Sequence, residues 1–239
     1  MIGARIFEAM RHSLSPFDHA FADGPVFPLC HTLEEARRSL PFEDGVPDAA
    51  QQLVAISDSF RSASETADKV LVGMGARIVN LATRNDMVFE GPSAIRGILR
   101  LDRSGAITIG EHCYLGDNTI LSAHTQIEIG PCTLLAHNVQ IFDNDSHPVN
   151  AFQREIQFRR MLGDKSRVAA LEIGAAPVKI GSRVWIGMGS LVMKGVEIGD
   201  DSIVAAGSVV TSSIPSGVIV GGNPASIIRQ LTDAERSVR

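Results

Sequence analysis

Aliphatic residues recur every six positions through the C-terminal part of the chain. From residue 180 the series runs Ile180, Ile186, Val192, Ile198, Val204 and Val210. Two positions before each later member stands a small or β-branched residue: Val184, Ser190, Val196, Ser202 and Ser208. Glycine follows the aliphatic in Ile180-Gly181, Ile186-Gly187 and Ile198-Gly199. Upstream the same period gives Ile109, Leu115, Leu121 and Ile127, restarts two residues later, and continues as Ile129, Leu135 and Ile141. A weaker version passes through Phe89, Ile95, Leu101 and Ile107. The starts at 89, 109 and 129 lie 20 residues apart, so three hexads plus two residues make one coil.

A period of six matches neither an α-helix nor a plain alternating strand. It matches a short strand followed by a corner, repeated until three sides close a coil. The aliphatic residue then points inward and the small residue fills the corner. Stacked coils pair their strands at about 4.8 Å. The pattern therefore predicts an all-β parallel β-helix of about five coils.

The flanks do not repeat. Residues 1–88 read as a mainly helical region of unknown function. Thr32-Leu33-Glu34-Glu35 and Asp48-Ala49-Ala50-Gln51 look like capping boxes opening helices over about 33–40 and 49–66. Residues 70–88 are ambiguous and also fit a degenerate first coil. Asn223-Pro224 reads as the N-cap and first position of a terminal helix reaching about Arg236. The expected division is 1–88, a β-helix over 89–222 and a C-terminal helix over 223–239.

Within the β-helix the hexads stop between Asp145 and Val178, leaving a long loop over 146–177. It opens with Asp143-Asn144-Asp145-Ser146-His147-Pro148 and carries Arg154, Arg159, Arg160, Lys165 and Arg167. Loops of this length in compact domains are usually functional or disordered. This one reads either as a solvated excursion or as a lid beside His147 with its basic residues facing an anionic ligand.

Composition narrows the function classes. A net charge of -5 disfavours a general nucleic-acid binder. The 3 cysteines form no CxxC, which suggests reduced thiols in a cytoplasmic setting. Arg5, Glu8, Arg11 and Asp18 interrupt any leader-like pattern, and no apolar run approaches the roughly 20 residues of a membrane span.

The stretch from about 107 to 231 resembles the left-handed β-helix, hexapeptide-repeat acyltransferases. It is most similar to sugar O-acetyltransferases of the maltose and galactoside type and their relatives in polysaccharide biosynthesis. The carrying residues are Ile141-Phe142-Asp143-Asn144-Asp145-Ser146-His147-Pro148-Val149 and Val184-Trp185-Ile186-Gly187. Ala205-Ala206-Gly207-Ser208-Val209-Val210-Thr211, Ile214-Pro215 and Gly221-Gly222-Asn223-Pro224-Ala225 complete the match. The resemblance implies a homotrimer with active sites between subunits, acetyl-CoA as donor, a small sugar-like acceptor and no metal. It implies His147 as general base, a role that suits imidazole, which titrates near neutral pH and can take a hydroxyl proton during attack. Transfer is then direct, without a covalent enzyme intermediate. Trp185, Met188, Ala206 and Thr211 align with positions along the pantetheine arm. Arg229, on the terminal helix, aligns with a position near the nucleotide phosphates. Asp143, Asn144 and Asp145 either orient His147, bind acceptor hydroxyls or only close a turn.

Two departures stand out: Ser212-Ser213 replace a common Lys-Asp pair, and Gly116 replaces an acceptor-binding Asn. Amine acylation of an amino sugar is the principal alternative, since the same base and donor site serve it. A γ-class carbonic anhydrase needs three convergent histidines, and His112, His124, His137 and His147 fall at different coil positions. A non-catalytic scaffold leaves the His147 motif, the long loop and Trp185 unexplained.

Overall fold

A computed structural model of the protein describes residues 26–40, 47–65 and 70–236. The expectation for the N-terminal leader-like region lies outside the described residues, and the helix expected to reach residue 66 ends at Ala63, with Glu65 bridging Val88 instead.

In chain order the elements begin with β1 (Val26–Pro28), α1 (Leu33–Ser39) and α2 (Pro47–Ala63). The coils then run through β2 (Val70–Gly73), β3 (Arg77–Asn80), β4 (Met87–Phe89), β5 (Ser93–Ile95), β6 (Ile98–Leu101) and β7 (Ala106–Ile109). They continue with β8 (Tyr114–Leu115), β9 (Ile120–Ala123), β10 (Gln126–Ile129), β11 (Leu134–Leu135) and β12 (Gln140–Phe142). Helix α3 (Ala151–Met161) interrupts them. Then follow β13 (Val178–Ile180), β14 (Trp185–Ile186), β15 (Leu191–Val192), β16 (Glu197–Ile198), β17 (Ile203–Val204) and β18 (Val209–Val210). The chain closes with β19 (Val218–Gly222), β20 (Ala225–Gln230) and α4 (Asp233–Arg236).

Successive strands alternate among a 9-stranded, a 6-stranded and a 5-stranded sheet, and from β2 to β19 all pairing is parallel. This is a three-sided β-helix. Every aliphatic position of the hexad series is buried to 3% exposure or less, and so is every paired small position. Like positions stack coil on coil, which explains the period. Phe89, Ile109, Ile129, Ile180 and Ile198 face one another in register, separated by 20, 20, 51 and 18 residues. The two surplus residues of the early coils lie where the chain leaves the 6-stranded for the 5-stranded sheet, as between Leu121 and Ile129, both buried. The long insertion leaves from this same corner, after Phe142.

Two other corners rest on left-handed backbone. His112, Cys132, Arg183 and Asp201 occupy one with φ of 58°, 59°, 54° and 62°; Asn118, Asn138, Gly189 and Gly207 occupy the other with φ of 57°, 58°, 70° and 70°. The glycine after an aliphatic serves a different purpose. A Cβ on Gly187 would lie 2.5 Å from the backbone nitrogen of Ala206, so that position permits close stacking of coils.

Three boundaries are corrected. Strands β2, β3 and β4 pair with β5, β6 and β7, so the β-helix starts at about residue 70 rather than 89. Helix α2 begins at Pro47, which places Asp48 in its first turn rather than at its cap. Residues 225–230 form β20, antiparallel to β19, and the terminal helix is only Asp233–Arg236. Pro224 lies in the two-residue connection between these strands; β20 satisfies the open edge of β19, which a helix would not. The Thr32 cap is present: its hydroxyl accepts from the Glu35 N–H at 3.1 Å. Leu53 and Phe60 of α2 are buried against the first coil, with Phe60 and Phe89 stacked at 6.0 Å. The helices thus close one end of the hydrophobic column.

Candidate active site

The insertion leaves the coil at Asp143, which has no exposed surface. Its Oδ2 accepts from the backbone N–H groups of Thr125 and Gln126 at 2.6 and 2.8 Å and from the Thr125 hydroxyl at 2.8 Å. Its Oδ1 accepts from the His124 N–H at 2.7 Å and the Asn144 amide at 3.0 Å. Both oxygens are therefore engaged by the corner one coil below and by Asn144, the arrangement expected of a residue that closes the turn. Asn144 bridges Ala175 on the returning chain, and its side-chain oxygen accepts from the Ser146 N–H at 2.8 Å. Asp145 pairs with Lys194 at 2.5 Å. Gly174 passes so near that a Cβ there would lie 2.5 Å from Asp145 Oδ2 and 2.9 Å from Lys194 Nζ. These contacts fasten the two ends of the insertion together.

Ser146, at φ 60°, turns the chain outward and presents His147. Asn150 then caps α3, accepting from the N–H groups of Phe152 and Gln153. The helix folds back over the histidine. Gln157 Oε1 lies 2.8 Å from His147 Nδ1, while Gln157 Nε2 donates to the Ser146 carbonyl at 3.2 Å. That second bond orients the amide with its oxygen toward the ring, which favours the neutral tautomer that donates from Nδ1 and has its lone pair on Nε2. The Phe158 ring stacks on the imidazole at 5.4 Å. His147 itself is exposed. The result is an oriented imidazole open to solvent.

The insertion's basic residues do not form an anion-facing set. Arg154 donates to the carbonyls of Pro148 and Val149, and Arg160 to that of Ala169. Arg159 pairs with Glu155 and Asp164, and Arg167 lies 3.8 Å from Glu155. They brace the excursion. Only Lys165 is left without such a contact among the described residues.

The remaining expected site residues lie elsewhere on the prism. Trp185, 50% exposed, faces outward from the 9-stranded sheet between Leu134 and Ile203. Met188 and Ala206 sit exposed at the corner joining the 9- and 6-stranded sheets. Thr211 follows β18, on the edge of His147 but two coils further along. Arg229 lies on β20 rather than on a helix, and its guanidinium meets both oxygens of Glu235 at 2.8 and 2.7 Å. The hydrogen bond from Arg229 in turn holds Glu235 down at about 2. One chain thus groups His147, Asn144 and Asp145 and leaves Trp185, Met188 and Ala206 on a different face and edge.

Gln157 and Lys194 were not legible as site residues. Lys194 carried a signal: it follows Val192 by two positions as Asp143 follows Ile141, which stacks the two corners. Gln157 carried none, since only the fold-back of α3 brings it to His147. No group of three His, Cys, Asp or Glu residues among the described residues is placed to hold a metal ion. His137 Nδ1 accepts from the Asp117 N–H at 2.9 Å, and His124 Nδ1 lies 3.1 Å from Asp102. No described helix is long and apolar enough to cross a membrane.

Residues 177–212 match the family described as bacterial transferase hexapeptide (six repeats). Nodulation protein L of Rhizobium meliloti is 36% identical over 157 residues, 65% of this chain and 78% of that protein. Galactoside O-acetyltransferase of Escherichia coli is 32% identical over 130 residues, 54% of this chain and 57% of that enzyme. The chain thus spans less than two thirds of the latter's length, as it does for a yeast relative of which 61% is covered. Among solved structures, the polySia specific acetyltransferase NeuO superposes with a TM-score of 0.54 at 23% identity, over 68% of this chain and 69% of that one. The N-acyltransferase AntD from Bacillus cereus superposes with a TM-score of 0.56 at 18% identity, over 72% and 84%. At these identities the two structures speak to the fold.

Proposed function

Since the chain belongs to the hexapeptide-repeat transferase family, we propose that it transfers an acetyl group from acetyl-CoA to a hydroxyl of a sugar-like acceptor, with His147 as general base. The observation that carries this reading is the imidazole held through Nδ1 by Gln157 with Nε2 open. Nε2 takes the acceptor proton as the hydroxyl oxygen attacks the thioester carbonyl. The tetrahedral intermediate then expels the coenzyme A thiolate, which recovers a proton from the imidazolium. No nucleophilic side chain is acylated. Mass analysis of products from acetyl-CoA with a panel of neutral, acidic and amino sugars tests the reading, and an N-acetylated product alone would move it to amine acylation.

The donor is expected along Trp185, Met188, Ala206 and Thr211, with Arg229 toward the nucleotide. Because His147 and the Trp185 face lie on different parts of one prism, a complete site requires a second chain, and a homotrimer supplies three such sites under closed cyclic symmetry. Sedimentation equilibrium at micromolar protein should give three times the chain mass; a monomer there argues directly against the shared site.

Coenzyme A at millimolar concentration should raise the melting temperature, since a ligand bound only by the folded state stabilises it by mass action. Emission from Trp185, the chain's 1 tryptophan, should change in the same titration. Absence of any thermal shift would remove the acyl-CoA reading.

A further inference from the structure

Among the described Arg and Lys side chains, most meet a carboxylate or a backbone carbonyl; Arg37, Arg77, Arg100, Arg103 and Lys165 do not, and none of these has another interaction. Three of them, Arg77, Arg100 and Arg103, fall together in the first two coils. Arg77 and Arg100 are exposed on the outer face of the 6-stranded sheet, where Val79 pairs with Arg100, which makes Arg77 its diagonal neighbour. Arg103 is exposed at the corner that follows β6. In a chain of net charge -5, three adjacent arginines, none of them ion-paired and with Asp102 as the carboxylate of the corner, are a local excess of positive charge.

Their position ties them to His147. The outward column through Arg100 continues in register through Ser122 to Phe142, the residue before Asp143. Arg100 is therefore two coils from the point where the insertion leaves, or about 10 Å at strand spacing. Between them stands His124, partly exposed, its Nδ1 held by Asp102 at 3.1 Å and its backbone N–H by Asp143. Asp102, the acidic group of this corner, is thus directed at His124, and the guanidinium groups remain open. Planar guanidinium donors suit carboxylate and phosphate oxygens.

We propose that this edge is an acceptor subsite for an anionic sugar of about two units, its carboxylate or phosphate held by Arg100 and Arg103 with Arg77 adding to the field, and its hydroxyl presented toward His147. The proposal rests on the acetyl-transfer reading for its purpose but not for its measurement. Binding to the full chain is measured by calorimetry with digalacturonic acid, a disaccharide monophosphate and neutral digalactose, each with coenzyme A present. At least one anionic probe should bind about tenfold or more tighter than the neutral one, with the preference falling as salt rises. The two anionic arms separate carboxylate from phosphate recognition. Arg100→Ala/Arg103→Ala should abolish the preference while the coenzyme A thermal shift persists, which certifies the fold. Equal binding of charged and neutral probes, or a preference retained by the double variant, overturns the subsite and leaves acetyl transfer standing. Charge-selective binding that never yields an acetylated product leaves the subsite standing and overturns acetyl transfer.

Discussion

His147→Ala should lower kcat by about 10²–10⁴, the range by which a positioned general base accelerates proton transfer. Affinity for coenzyme A should stay nearly constant, because the proposed donor positions Trp185, Met188 and Ala206 lie on another face and edge of the prism. The melting temperature should hold as well, since the side chain is exposed and contributes nothing to the inward aliphatic stack. Gln157→Ala is the companion measurement. Loss of one neutral hydrogen bond is worth about 0.5–1.5 kcal/mol, so kcat should fall roughly two- to tenfold, with KM for the acceptor little changed. A His147→Ala enzyme retaining more than about a tenth of wild-type kcat would place the base elsewhere. His124, oriented by Asp102 on the same edge, would be the next residue to replace.

Asp143→Ala should produce the largest loss of stability among the site residues. The substitution strips acceptors from three backbone N–H groups, a hydroxyl and an amide at once. A buried donor without a partner costs about 1–3 kcal/mol. The donor residues His124, Thr125 and Gln126 are only half-buried, so water can take over part of what Asp143 supplied, and the expected loss is about 2–4 kcal/mol rather than the full sum. Denaturant unfolding should show a lower midpoint with an unchanged slope. Asp143→Asn, which keeps one oxygen, should lose less. Wild-type stability with abolished turnover would instead make Asp143 a member of the reacting machinery.

The contrast between these two residues shows what the chain discloses before it folds. The inward positions were readable because each coil repeats the same burial requirement, and a requirement imposed many times leaves a period. The His147 motif was readable as chemistry from its resemblance. The partner of His147 was not, because Gln157 depends on one helix folding back once, and a contact made once leaves no period. Asp143 stayed open among three roles for a related reason: its carboxylate serves backbone donors about 20 residues earlier, and backbone donors have no signature in the sequence. Asn223-Pro224 misled because a helix start and a tight turn favour the same dipeptide. The basic residues of the insertion left two readings open because the opposite charges and carbonyls that engage them lie within the same excursion and are not legible as partners until it folds.

The stacking register is maintained across the insertion. Ile129 pairs with Ile180 and Ile141 with Val192 as if the intervening residues were not there. The excursion leaves and returns at one corner, fastened by the Asn144–Ala175 bridge and the Lys194–Asp145 pair. Its length is then nearly free of thermodynamic penalty, since doubling a closed loop costs only about 0.6 kcal/mol. The segment bearing His147, the proposed base, is in effect an exchangeable cassette on an indifferent frame, so the chemistry presented at that corner can be rewritten by grafting between the two fasteners without touching a single inward residue of the coils.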